Sequence, residues 1–138
     1  MHCLRILTII TSFSFCLSSS AVEIEQLTPA NWERYVPAGK EVDAIYGDYV
    51  IKNDVLTAII AQPTPTRNAT VTIREVGGCV LDLTRIDSDN DQLGCYYPTG
   101  QLYSFTDPKQ VQIAVDSVGV ALHITSQKES NGTFARVI

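Results

Sequence analysis

Three aspartates at alternate positions are the residues of this 138-residue chain whose spacing points most directly to chemistry. Asp87, Asp89 and Asp91 repel one another unless they are solvated or bind a hard cation such as Ca²⁺, which prefers carboxylate oxygens. The spacing matches the first half of an EF-hand loop, but Gln92 stands where that loop needs glycine and Pro98 where it needs glutamate. The sequence excludes an EF-hand and leaves two alternatives, a looser calcium site or a solvated acidic turn. We expect no cofactor other than this Ca²⁺.

Cysteine and aromatic residues are the other candidates. Cys79 lies in an apolar run and Cys95 directly precedes two tyrosines, so neighbouring strands could present the two thiols to each other. In an oxidising compartment, a disulfide of this loop length would stabilise the fold by about 3 kcal/mol. The alternative is two buried free thiols. Trp32, Tyr96 and Tyr97 are the predicted ligand-binding residues, because aromatic faces can stack on sugar rings; the alternative is that they fill the core and its rim.

The sequence predicts no catalytic residue. His123 is the only histidine after residue 20, and no Cys-x-x-Cys pair exists, so a Ser-His-Asp site or a zinc centre has almost no ligands or bases to use. Asp48, Glu75 and Asp82 could pair as glycosidase carboxylates, but the sequence fixes no separation between them. The net charge of −5 argues against nucleic acid or an anionic membrane surface as a partner.

Residues 1–20 have the three parts of a signal peptide. Arg5 is followed by an apolar run that ends in small residues, with cleavage expected after Ser20 or Ala21. The run is too short for the roughly 20 apolar residues of a membrane span, so we expect no stable membrane insertion. The protein is therefore predicted to be secreted or extracytoplasmic, with residues 21–138 forming a single domain.

The remaining elements are mostly strands, because Val, Ile and Thr make up more than a quarter of the residues after Ser20. Thr28 and Pro29 open the one plausible helix, a short one that ends before Pro37. Short alternating runs separated by turn signals predict an antiparallel all-β sandwich. The strands are expected near residues 22–25, 49–51, 55–60, 69–75, 79–86, 93–97, 102–105, 111–115, 118–124 and 133–138.

Three of these strands carry specific expectations. The run at 55–60 is apolar on both faces and should lie centrally in its sheet, after a hairpin turn at Asn53. The run at 79–86 should place Cys79, Leu81 and Leu83 on one face. The apolar strand at the C-terminal end needs a partner for its edge, either a continuation of the sheet or another β domain.

A family resemblance rests on the segments 47–61, 76–83, 90–93 and 96–98. A strand, an Asn-Asp turn and a second strand are followed by Gly77-Gly78 and a further strand, then by Asn90-Asp91-Gln92-Leu93 and Tyr96-Tyr97-Pro98. This order resembles the amino-terminal part of galactose-mutarotase-like β-sandwich domains of large exported bacterial proteins. The resemblance implies a large sandwich of which this chain supplies the opening half, and it implies no catalytic residue.

The leading functional interpretation is an exported, non-enzymatic domain that binds or scaffolds, with carbohydrate as the suggested ligand. Two alternatives stay open. One is the N-terminal portion of a mutarotase-like or hydrolase enzyme, inactive without further sequence. The other is a calcium-stabilised adhesion-type module.

Overall fold

The structure is a computed structural model that describes residues 21–88, 90–98, 105–115, 119–125 and 136–137. The predicted signal peptide, Asp89 and most of the predicted strand at 102–105 lie outside these residues. The described elements are the strands β1 (Glu23–Gln26), β2 (Tyr49–Lys52), β3 (Leu56–Ile60), β4 (Val80–Arg85), β5 (Val111–Val115), β6 (Val120–Thr125) and β7 (Arg136–Val137), with the helical turn α1 (Trp32–Tyr35) and a 3₁₀ turn (Pro108–Gln110).

The first sheet contains β1, β2, β3 and β4 in that order, and all neighbours are antiparallel. The β2–β3 hairpin forms at Asn53, whose side-chain oxygen accepts from the backbone N–H groups of Val55 and Leu56 at 2.8 Å each. The strand predicted to be central is confirmed, since β3 lies between β2 and β4 and buries Ile59 and Ile60. Apolar side chains on both faces require neighbours on both faces.

The second sheet contains β5, β6 and β7, also antiparallel. Leu122 and Ile124 of β6 are buried, and His123 between them points the other way, as the alternation predicts. The two sheets pack face to face, with β1 against β6. Their shared core consists of Ile60, Phe105, Leu122 and Ile124, with Ile24, Tyr49, Ile51, Val80 and Val111 around it. The predicted all-β, antiparallel fold is confirmed.

The opposite face of the first sheet is covered by the chain between β1 and β2. α1 occupies one turn of this segment and begins at Trp32 rather than at the predicted Thr28-Pro29; it ends at Tyr35, and the N–H of the next residue, Val36, donates to the carbonyl of Trp32. The segment buries a second cluster, made of Leu27, Tyr35, Ala44, Val50 and Ile59. In the part of the chain that the structure describes, no helix is long and apolar enough to cross a membrane.

A β-bulge changes which side chains of β4 are buried. The register between β3 and β4 shifts between Ile59 and Ile60. Leu81 is fully buried, but Leu83 is 46% exposed and Asp82 between them is fully buried. The prediction that Cys79, Leu81 and Leu83 share one face is therefore wrong, because Leu81 lies at the bulge and the bulge interrupts the alternation.

The strand predicted at 69–75 is also wrong. This segment forms bends. The hydroxyl of Thr70 accepts from the N–H groups of Thr72 and Ile73, and the N–H of Ala69 donates to the carbonyl of Ile73 at 3.0 Å. Threonine hydroxyls that bond to nearby backbone compete with a sheet ladder, and here the local turn prevails.

Candidate functional site

A buried ion pair anchors the loop that follows β3. The guanidinium of Arg67 lies 2.7 Å from the carboxylate of Asp48, and the two side chains are 5% and 0% exposed. Asp48 also accepts from the N–H groups of Ile45 and Gln62, and Arg67 also donates to the carbonyl of Asp43. Because both charges are paired and most of their remaining polar atoms are bonded, this pair fixes the loop rigidly.

The anchored loop begins with a strained turn. The N–H of Arg67 donates to the carbonyl of Thr64 at 3.3 Å, so Pro65 and Thr66 are the central residues of a β-turn. Thr66 has a φ of 61°. Proline followed by a residue of positive φ is the pattern of a type II turn, which normally has glycine at the second central position. A β-branched residue there costs about 1–3 kcal/mol.

A second strained residue lies close by. Glu75 has a φ of 54°, and its N–H donates to the side-chain oxygen of Asn68 at 3.0 Å. The next N–H, that of Val76, donates to the carbonyl of Arg67 at 2.9 Å. Among the described residues, Thr66 and Glu75 are the two non-glycine residues with positive φ, and both line the same cavity. Such strain persists only where the surrounding structure holds it, and it concentrates at functional sites.

That cavity, here called the loop pocket, has a volume of about 200 Å³ and opens to solvent. It is lined by Thr64, Thr66, Asn68, Arg74, Glu75, Gly77, Phe105 and Thr106. Gly77 permits its closure on one side, because a Cβ on Gly77 would lie 2.0 Å from the carbonyl oxygen of Phe105. Gly78, with a φ of +75°, packs against the Phe105 ring in the same way. The glycine pair therefore lets two chain segments meet at the pocket wall.

The polar groups of the loop pocket are largely uncommitted. Arg74 donates from Nε to the carbonyl of Val71 at 3.1 Å, and neither Arg74 nor Glu75 forms an ion pair with any described residue. The hydroxyls of Thr64, Thr66 and Thr106 likewise make no side-chain hydrogen bond within the described ranges. The pocket therefore offers donors, acceptors and hydroxyls to a small polar molecule.

A contrasting group of acids lies beneath the segment that covers the first sheet. Asp82 and Asp91 are fully buried; Asp82 accepts from the N–H of Asp43, and Asp91 from that of Leu83. In Asp43, Asp82 and Asp91 alike, Oδ2 is buried without a hydrogen-bond partner in the described part of the chain. Burial, followed by the nearby carboxylates of Asp91 and Asp43, raises the pKa of Asp82 to about 7, although the N–H of Asp43 opposes the shift. Burial also raises the pKa of Asp43.

The predicted calcium ligands do not gather in the described residues. Asp87 is exposed and its carboxylate pairs with the guanidinium of Arg85, whereas Asp91 is fully buried. Asp89 lies outside the described residues. No group of three His, Cys, Asp or Glu side chains in residues 21–88, 90–98, 105–115 and 119–125 could hold a metal ion. A calcium site stays a prediction.

The two cysteines lie next to each other. Val80 and Tyr96 exchange two backbone hydrogen bonds, of 3.0 and 2.8 Å, which brings Cys79 and Cys95 together. Both are free thiols, with Cys79 buried and Cys95 half-buried. Burial raises the pKa of both thiols, and the interaction with Cys95 raises that of Cys79 further. The predicted disulfide stays a prediction, with its two sulfurs placed in one cluster.

The three predicted ligand-binding aromatic residues pack in different places. Trp32 is half-buried against the cluster under α1, with its ring edge-on to that of Tyr46 at 5.0 Å. Tyr96 is exposed, and its backbone pairs with Val80 at the start of β4. Tyr97 packs against the cluster that contains Cys79, and its hydroxyl donates to the carbonyl of Arg74 at 2.7 Å. Tyr97 therefore supports a wall of the loop pocket from behind.

The sequence reasoning missed the loop pocket. Thr64-Pro65-Thr66 and Gly77-Gly78 are turn-forming residues that lie at the pocket, but residue types alone do not show that the two segments meet. The positive φ of Thr66 and Glu75 could not be read from residue types, because threonine and glutamate rarely adopt it.

No family model, no curated protein and no solved structure matches this chain. The resemblance to galactose-mutarotase-like domains stays a prediction from the sequence motifs.

Proposed function

We propose that this chain is an exported, non-enzymatic β-sandwich domain whose role is to bind or scaffold, with carbohydrate as its ligand. The observation that carries the proposal is where the polar side chains lie. The carboxylates of Asp48, Asp82 and Asp91 are buried and accept backbone N–H groups, whereas polar side chains without such partners line the open loop pocket.

The buried carboxylates support a structural role. Asp48, Asp82 and Asp91 have no solvent exposure, and each accepts at least one backbone N–H. A general acid or base must come within hydrogen-bond reach of its substrate. These three carboxylates instead join loops to the first sheet.

The loop pocket supports a binding role. Its open cavity is lined by three threonines, Arg74 and Glu75 beside Phe105. At about 200 Å³ it is smaller than the roughly 300 Å³ at which pockets for drug-sized ligands begin, so its ligand should be small or one unit of a polymer.

Export would place Cys79 and Cys95 in an oxidising compartment, and we propose that they form a disulfide there. The bond would join the turn before β4 to the segment that contains Tyr97. Loss of two hydrogen atoms in the intact mass, together with no titratable thiol in the unfolded protein after residue 20, would support it. Two titratable thiols in the exported protein would contradict it.

A glycan array followed by product analysis tests the proposed function. The purified exported protein should bind a subset of glycans and release each one chemically unchanged. Conversion of any bound glycan would make the domain an enzyme. Absence of binding to every glycan, with the protein folded, would remove the carbohydrate assignment.

A further inference from the structure

We infer that the loop pocket holds one neutral sugar ring, with vicinal hydroxyl groups bound by Arg74 and Glu75. This inference rests on the proposed function and names the ligand class and the site. The site differs from the aromatic residues that the sequence suggested.

The charges on the pocket wall select for a neutral ligand. Arg74 and Glu75 are adjacent, both line the cavity, and neither is neutralised by an ion pair within the described residues. For an anionic ligand the attraction of Arg74 is offset by the repulsion of Glu75, and for a cationic ligand the reverse holds, so neither sign of charge is favoured. A neutral ligand that both donates and accepts meets both side chains favourably.

The hydroxyl groups of the wall select for a polyol. Thr64, Thr66 and Thr106 line the cavity, and a threonine hydroxyl both donates and accepts; the side-chain oxygen of Asn68 accepts from the N–H of Glu75, which leaves its NH₂ group as a donor. A guanidinium only donates hydrogen bonds and a carboxylate only accepts them. Of two neighbouring hydroxyls on one ring, one can accept from Arg74 and the other can donate to Glu75. Sugar rings carry such neighbouring hydroxyls, and the volume of about 200 Å³ limits the ligand to about one ring.

The pocket is held in its shape before any ligand binds. Arg67, fixed by Asp48, ends the turn at Thr66, and its carbonyl also accepts from the residue after Glu75. The hydroxyl of Tyr97 holds the carbonyl of Arg74. A site that is ordered in advance loses less entropy when a small ligand binds, which a single sugar ring requires for measurable affinity.

Calorimetric titration of the purified protein with free d-glucose, d-galactose and d-mannose tests the inference. At least one of these should bind, and the amide signals of Thr64, Thr66 and Glu75 should shift in NMR spectra during the titration. Glu75→Ala and Arg74→Ala should each weaken binding by roughly tenfold or more, since a hydrogen bond to a charged group is lost. The exposed residues Glu25 and Arg85 supply matched controls, and Glu25→Ala and Arg85→Ala should bind as the unaltered protein does.

Thr106→Val keeps the shape of the side chain and removes one hydroxyl, so it remains informative if the charge variants unfold. It should weaken binding several-fold with an unchanged melting temperature. If the unaltered protein binds sugar and these variants bind equally well, the pocket inference fails while the proposed function stands. If the unaltered protein binds no glycan on the array and no free sugar, both fail. Tighter binding of d-galacturonate than of d-galactose would overturn the neutral class.

Discussion

Two groups of buried aspartates differ in whether their charge is paired: Asp48 in one, and Asp82 with Asp91 in the other. Asp48 is paired with a buried guanidinium and accepts two backbone N–H groups. Asp82 and Asp91 lie close together with no cation between them in the described residues, and Oδ2 of each accepts from no donor there. A fully satisfied buried network is rigid, whereas a half-satisfied one is costly and responds to protons.

This difference follows the division of roles in the molecule. The satisfied pair anchors the loop that forms the loop pocket, where strain must be held in place. The unsatisfied pair joins the segment covering the first sheet to β4. We therefore expect Asp48 to control the loop pocket and Asp82 to control how stability depends on pH.

The largest expected effect comes from removing the satisfied acid. Asp48→Ala leaves Arg67 buried without a partner, and it should lower the free energy of unfolding by about 3–5 kcal/mol in urea titrations. Asp87→Ala breaks an ion pair with Arg85 that is exposed on both sides, and it should change the free energy by less than about 1 kcal/mol. Equal effects of the two substitutions would show that the buried pair contributes no more to stability than the exposed one.

The double variant Asp48→Leu with Arg67→Met separates the loss of the ion pair from the cost of leaving Arg67 buried without a partner. It removes both charges together, so it should be more stable than Asp48→Ala alone. Sugar binding at the loop pocket should still fall, because the backbone of the loop loses its anchor. Full binding by the double variant would mean that the pair does not position the pocket.

The second effect concerns pH and the unsatisfied acids. The pKa of Asp82 rises from 3.8 to about 7 on folding, so between these values the folded protein holds a proton that the unfolded chain releases. Stability should therefore fall as pH rises from about 4 to 7, by up to roughly 1.4 kcal/mol per pH unit, and then level off.

Asp82→Asn removes this titration and keeps an oxygen that can accept from the N–H of Asp43. Relative to the unaltered protein, the variant should gain stability at pH 7.5 and change little at pH 4.5, in urea titrations at both values. Asp87→Asn is the exposed control, and its effect on stability should not differ in this way between the two pH values. A difference between Asp82→Asn and the unaltered protein that is the same at both pH values would contradict a raised pKa at Asp82.

The third effect tests the wall between the two segments of the loop pocket. Gly77→Ala places a Cβ 2.0 Å from the carbonyl oxygen of Phe105, so the backbone must move and stability should fall by about 1–3 kcal/mol. Gly94→Ala is the matched control, since its Cβ would lie in ordinary contact with Ile73. A thermal melt in which both variants match the unaltered protein would show that the backbone at Gly77 can move away from Phe105 without loss of stability.

The sequence predicted the fold better than the site, for a physical reason. Alternation and turn residues determine which runs form strands, and the central position of β3 follows from its two apolar faces. The bulge between Ile59 and Ile60 is a property of the register between strands, so the burial of Asp82 could not be read from its neighbours. Thr66 lies in a turn that ends at Arg67, and Arg67 is held by Asp48, which lies 19 residues away in the chain. Local patterns carry no record of such distant anchors.

The smallest expected effect isolates that hidden conformation. Thr66→Gly removes the penalty of a positive φ on a β-branched residue, which exceeds the entropy that glycine adds to the unfolded chain, so stability should rise by about 1 kcal/mol. Thr64→Gly, two positions earlier in the same turn and without positive φ, should lower stability instead. Thr66→Gly should also weaken sugar binding, because it deletes one hydroxyl and frees the turn. A variant that is more stable but binds less well would show that the strain at Thr66 is kept for the pocket, and a variant that is less stable would show that the turn is not strained.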